Sequence, residues 1–338
     1  MALDVYDDIE ACFAGGWSDG LPVIPPYGTL VDRMLAAMGW KATDIVGEIK
    51  TQKIQIRADQ LAATAVMAGC KFEYGRLLRA LSQALVEPAF TLSGVEVTTG
   101  GAAVLVVVGG PVVAELGFEH ESNALGANNR ANATIGRFAQ MVRYFCGRGG
   151  GVMHSHGTMG HPGRLSFCIA EHPETVWPPF HTQFGIDAGK SAVSIFSSEA
   201  PNSINNHYSA TAEGILDTMA DTIGAAGFTN YYWHSGTSLV VIGPDHMDVI
   251  APKYSRDQVK AYLLEKAVRP TDWLKQIGRL PNDPQKANKV VPGTMRSPFD
   301  NPDQLQFIEC GARGGKFSAV IPGWVGCLKV ISKVVEPA

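Results

Sequence analysis

Apolar residues recur at helical spacing along much of the chain, and short β-branched runs separate them. Residues 58–69 are alanine-rich and predict a helix broken at Gly69-Cys70, and 74–86 predicts a second. Across 129–146, Ile135, Phe138, Val142 and Phe145 share one face, the pattern of a core-facing helix closed by Gly147. Ile215, Leu216, Met219 and Ile223 mark another, with Ser209 as its expected cap. Ser255 through Gln258 fits a capping box ahead of Val259, Tyr262 and Leu263. Strands are predicted over 95–98, 103–108, 165–170, 192–196, 237–242, 304–309, 316–321 and 328–334. The run 103–108 is continuously apolar, which suits a strand buried on both faces. Residues 280–303, rich in Pro, Asn and Asp, read as a long surface loop.

Near the N-terminus, DGLPVIPP (19–26) places three prolines within five residues and forces an extended entry. A short helix follows from Thr29 to its stop at Gly39. This alternation predicts an α/β fold, with α+β as the neighbouring class. An expected division is an extended cap segment over 1–57, a first α/β half over 58–200 and a second over 201–338. Two features echo between the halves. VLVVVGGP (104–111) is matched by LVVIGP (239–244), and Gly163-Arg164-Leu165-Ser166 by Gly315-Lys316-Phe317-Ser318. An internal duplication would set two halves about a pseudo-twofold axis, with a cleft between them as the ligand site.

Composition narrows the function classes. The 338 residues are 46% hydrophobic and 18% charged, enough for a sizeable core. Net charge is -4 with no basic stripe, which argues against nucleic acid and against an anionic membrane surface. The most apolar stretch, 102–117, is short and interrupted by Gly109, Gly110 and Pro111. The acidic start, with Asp4, Asp7, Asp8 and Glu10, lacks the basic-then-apolar order of a secretory signal. Six cysteines without a CxxC pair read as reduced, mostly buried thiols, and the expected compartment is the cytoplasm.

Five longer motifs stand in order: DGLPVIPP (19–26), AVMAGCKFEY (65–74), NNRANATIGR (128–137), GTMGHPGRLSFCIAE (157–171) and NNHYSATAEGIL (205–216). Together they carry a resemblance that covers most of the chain. They resemble a bacterial family of roughly this length, encoded beside small proteins that carry a UGSC selenocysteine motif. The resemblance implies a small partner protein with a UGSC-type motif, because this chain has no Gly-Ser-Cys run of its own. It implies no catalytic residue set. Two positions depart from the family pattern: Asn128-Asn129 ahead of Arg130, and Arg164 where lysine is commoner, which puts an essential lysine there in doubt.

Several clusters carry chemistry. Asn129, Arg130, Asn132 and Arg137 lie at the start of a predicted helix, where free N–H groups and paired arginines suit a carboxylate or phosphate. The alternative is capping plus surface arginines. Arg164 with Ser166, and Lys316 with Ser318, each set a cation and a hydroxyl two residues apart on a predicted strand face, an arrangement for an activated nucleophile or an oxyanion pocket. Cys70 sits at a helix break beside Lys71, the setting of a lowered thiol pKa, opposed by Glu73. His207 is a candidate general acid–base, and Glu171, at a strand end, a candidate base. His154, His156 and His161 in one glycine-rich loop are metal-ligand candidates. His246 and Cys168 read as structural. Missing GxGxxG, GxxxxGK[ST] and GxSxG motifs weigh against nucleotide and α/β-hydrolase readings.

The leading expectation is a metal-independent lyase or hydrolase without a favoured cofactor. It would act on a small anionic organic substrate in the cleft, in an enzyme that is a homo-oligomer. The alternatives are a hydrolase using a divalent metal in the histidine loop, and one subunit of a two-component thiol/selenol enzyme.

Overall fold

The run 103–108 and its echo at 239–242 become the central strands of two separate four-stranded mixed sheets. The computed structural model describes residues 5–49, 53–126, 129–146, 156–226, 230–233, 236–281, 290–326 and 329–337. In chain order the strands are β1 (Ile45–Ile49), β2 (Ile54–Arg57), β3 (Ala103–Gly109), β4 (Cys168–Ala170), β5 (Ser191–Ser198), β6 (Asn202–Asn205), β7 (Ser238–Ile242), β8 (Arg269–Pro270), β9 (Met295–Arg296), β10 (Leu305–Glu309), β11 (Phe317–Ile321) and β12 (Ile331–Val335). The fold is α/β. The first large sheet runs β12-β5-β3-β4 and the second β10-β7-β11-β6. β1 pairs with β2 and β8 with β9 in small antiparallel ribbons.

The two sheets have the same pattern of directions. β3 is parallel to β4 and antiparallel to β5, which is antiparallel to β12. β7 is parallel to β10 and antiparallel to β11, which is antiparallel to β6. Helix Gly75–Leu85 packs on β5 and β12, and helix Ala212–Ala226 packs on β11 and β6. The fourth strand of each sheet comes from the other stretch of chain: β6 follows β5 into the second sheet, and β12 follows β11 back into the first.

This topology corrects the division at residue 201, because β12 belongs to the first sheet. Residues 1–57 are likewise not a separate cap: Val23, Met34, Met38 and Ile56 join the main core. Alternation on the second sheet shows how the layers stack. Leu239, Val241, Ala319 and Ile321 share an apolar cluster with the first sheet, whereas Val240, Ile242, Phe307 and Val320 meet the helices Ala212–Ala226, Pro244–Ile250 and Arg256–Lys266. The order is helix, sheet, sheet, helix. Apolar side chains fill the space where the sheets face each other.

Three local expectations change. Residues 95–98 lie in helix Leu92–Val97 and at its end, where Glu96 is buried against Arg143 at 2.8 Å; a four-residue apolar run cannot distinguish strand from helix. Pro162–Arg164 is a 3-10 turn, not the opening of a strand. Pro162 sets the backbone angle, and the Gly163 N–H donates to His161 Nδ1 at 3.1 Å. Thus Arg164-Ser166 leads to β4 through a turn while Lys316-Ser318 runs into β11, and the second echo joins unlike places in the two sheets. Helix Ala212–Ala226 starts beyond Ser209, with Thr211 Oγ1 accepting from the Gly214 N–H. No helix among the described residues is long and apolar enough to cross a membrane.

Candidate functional site

The Gly243-Pro244 turn ends β7 and starts helix Pro244–Ile250, with Pro at the first helical position. The third residue of that helix, His246, points inside and is fully buried. β11 runs antiparallel beside β7 and brings Ser318 opposite Ile242. Ser318 Oγ lies 2.8 Å from His246 Nδ1, and His246 Nε2 lies 3.2 Å from the Asn206 carbonyl oxygen. A carbonyl can only accept, so Nε2 carries the proton and Nδ1 the lone pair. The Ser318 hydroxyl therefore donates to His246 Nδ1 and accepts from the Gly243 N–H at 3.2 Å. Burial, reinforced by His207 and Lys316 and opposed by the Asn206 carbonyl and Asp245, holds His246 below its ordinary value of 6.5. The imidazole is neutral and oriented, as a general base requires.

Ser318 lines a cavity of about 570 Å³ outside the carboxyl ends of the parallel pair β7 and β10. Open α/β sheets characteristically bind ligands at such ends. The walls come from the Gly311–Gly315 loop, the Glu121–Leu125 segment that follows the first β3 turn, and Ser203 on β6. Asp245 Oδ2 accepts from the Gly314 and Gly315 N–H groups at 2.9 and 3.1 Å, which ties the glycine loop to the turn carrying His246.

Lys316 and His207 lie near this dyad. Lys316 Nζ donates to the His207 carbonyl at 3.2 Å, and the His207 ring contacts Asn205 Oδ1 at 2.6 Å and Phe317 edge-on. His207, Lys316 and Ser318 are thus brought together.

The remaining candidates are elsewhere, and most are occupied. Asn129 caps helix Arg130–Phe145 by accepting from the Asn132 N–H. Asn132 is buried and fully bonded: it accepts from the Glu119 N–H and donates to the Glu119 and Cys168 carbonyls. Arg137 makes a two-pronged pair with Asp19 at 2.8 and 2.6 Å and also reaches the Leu21 and Pro22 carbonyls, so it clamps the proline-rich entry. Arg130 donates to the Gly69 carbonyl beside a cavity of about 400 Å³ that Cys70 also lines. Burial pushes the Cys70 thiol up to about 12, and it donates to the Thr134 carbonyl. Helix–dipole and cation effects are too weak there to make a thiolate. Ser166 donates to the Ala133 carbonyl, and Arg164 to the Ala102 carbonyl at 2.5 Å. His154 lies outside the described residues, His156 is exposed, and His161 caps its own turn. The five described cysteines are all buried and unpaired, and Cys168 lies within β4.

Glu171 extends from the end of β4 and accepts from the Phe180 N–H with both oxygens. Burial raises its carboxyl to about 7, while the Phe180 N–H and Arg256 work the other way. Beside it His181 is buried, with Nε2 donating to the Asp187 carbonyl and Nδ1 unpartnered. Sequence reasoning read His246 as structural and did not pair it with Ser318, which is 72 residues away. It also missed His120, Glu121 and His172, whose donor atoms all lie within 4.8 Å of one another. No protein-family model and no curated protein matches this chain.

Proposed function

We propose that this chain is a hydrolase whose nucleophile is Ser318, activated by His246, acting on a small organic acyl substrate in the cavity at the ends of β7 and β10. The supporting observation is the 2.8 Å Ser318–His246 contact in a tautomer set by the Asn206 carbonyl. As Ser318 Oγ bonds to the acyl carbon, its proton passes to His246 Nδ1. His246 then returns that proton to the leaving group as the old acyl bond breaks. Water repeats the cycle in reverse: its oxygen takes the acyl carbon, and its proton returns Ser318 to the hydroxyl by way of His246. Asn206 is a positioning residue, and Lys316 and His207 bias His246 towards its neutral form. This activation needs neither a metal nor a thiol from a UGSC-type partner. The modest net charge of -4 accords with a small-molecule substrate and not nucleic acid.

The test is covalent labelling with a fluorophosphonate, read by peptide mass spectrometry. The expected adduct sits on Ser318, and forms on the order of a hundredfold more slowly in His246→Gln. Labelling should also require neutral His246, so its rate falls on acidification with a midpoint below 6.5. An unlabelled Ser318, or equal rates in the two proteins, overturns the reading.

A further inference from the structure

Around Glu121, which lines the same cavity, two histidines and this glutamate converge from different parts of the chain. His120 and Glu121 follow the first β3 turn, and His172 follows β4. Both backbones are tied to the second sheet. The Gly311 N–H donates to the His120 carbonyl, and the His172 N–H donates to the Glu309 carbonyl, each at 2.8 Å. The imidazole rings meet edge-on with centroids 5.0 Å apart, and His172 Nε2 stands 4.0 Å from Glu121 Oε1. Three donor atoms within 4.8 Å can close around one ion by small side-chain rotations.

The ring environments bear on which atoms bind. His120 Nδ1 faces the Phe118 carbonyl at 3.4 Å and donates to it, which leaves the lone pair on Nε2. His172 Nδ1 takes the Glu174 N–H at 3.2 Å. Coordination through Nε2 moves the His172 proton to Nδ1 and gives up that exposed contact. Glu121 is largely exposed, so its carboxylate can swing onto an ion without displacing packed atoms.

Two imidazoles and a carboxylate suit a borderline divalent ion and leave a position for an outside oxygen. Glu121 also lines the Ser318 cavity. The cation among the cavity's lining residues, Arg313, is already engaged by Asp248 at 2.5 Å. We propose that His120, Glu121 and His172 bind a divalent cation of the zinc class at the cavity mouth, where it receives an anionic oxygen of the substrate. The cation site stands on these residues alone; its role towards substrate rests on the Ser318 reading.

The experiment titrates zinc chloride into metal-stripped full-length protein by calorimetry, with the His120→Ala/His172→Ala double variant and Glu121→Gln alongside. The expected result is about one equivalent bound, at least about tenfold more weakly in each variant. Thermal melts of the same metal-free samples report whether the variants are folded, and fluorophosphonate labelling of Ser318 in the wild type is read alongside. No saturable zinc binding by the wild type, or unchanged affinity in the double variant, overturns the site. Zinc binding without labelling of Ser318 retains the cation site and overturns the hydrolase. Labelling without zinc binding does the reverse.

Discussion

Ser318 owes its proposed role to two contacts that fix the direction of its hydroxyl. The Gly243 N–H occupies a lone pair of Oγ, and the neutral Nδ1 of His246 takes its proton. A serine between two acceptors, or beside an imidazolium, could not be activated in this way. Glu171 illustrates the opposite balance. Its carboxyl is raised from 4.5 to about 7, so the folded protein retains a proton that the unfolded chain releases over that interval. The stability associated with this group is therefore present below 4.5 and lost as pH rises towards 7. Glu171→Gln removes the titration and keeps an oxygen for the Phe180 N–H. Its unfolding free energy relative to wild type is expected to be more favourable at pH 8 than at pH 4.5, by on the order of 3 kcal/mol at most. Equal differences at the two values, measured by calorimetric scans, would remove the argument for a strained carboxyl.

Helix Arg130–Phe145 carries the polar motif that looked most like a substrate clamp, and its polar side chains hold the fold. Asn129 closes the N-terminus, Asn132 ties the 119 segment to β4, and Arg137 fastens the extended entry through Asp19. The apolar face, with Ile135, Phe138 and Val142, is buried as its spacing requires, and Asn132 is buried with it. Asn132→Ala leaves the Glu119 N–H and two carbonyls without their partner. A loss of about 2–4 kcal/mol in denaturant unfolding is expected. Labelling of Ser318 should persist in that variant, because Asn132 does not line its cavity. The helix was legible because its apolar period is local. The roles of its asparagines were not, because a capping amide and a ligand-binding amide look alike until the opposing atom is known.

The repeated strand directions and the exchanged β6 and β12 make the two sheets interdependent. We infer an internal duplication in which each repeat lends its last strand to the other. The first echo, at β3 and β7, occupies equivalent places in the two sheets; the second does not. β12 covers the edge of β5 and buries Ile331 and Val335. Removing residues 329–338 would expose that edge and part of the core. The truncated chain should aggregate, or lose its cooperative unfolding transition, in light scattering and thermal melts. A soluble, cooperatively folding truncation would show that the first sheet stands without the exchanged strand.

By itself the sequence determined the α/β class, the fully buried β3 and β7, the helix faces and the Ser255 capping box. Each is encoded by neighbours within a few residues, through periodicity, proline geometry and capping. Only the tertiary structure decided that Ser318 meets His246, that Arg137 answers to Asp19, and that His120, Glu121 and His172 share one corner. Those pairings depend on strand order and on the two crossings between sheets. Hydrogen-bond direction, burial and charge, which turn a residue type into a chemical group, exist only once distant segments are packed together.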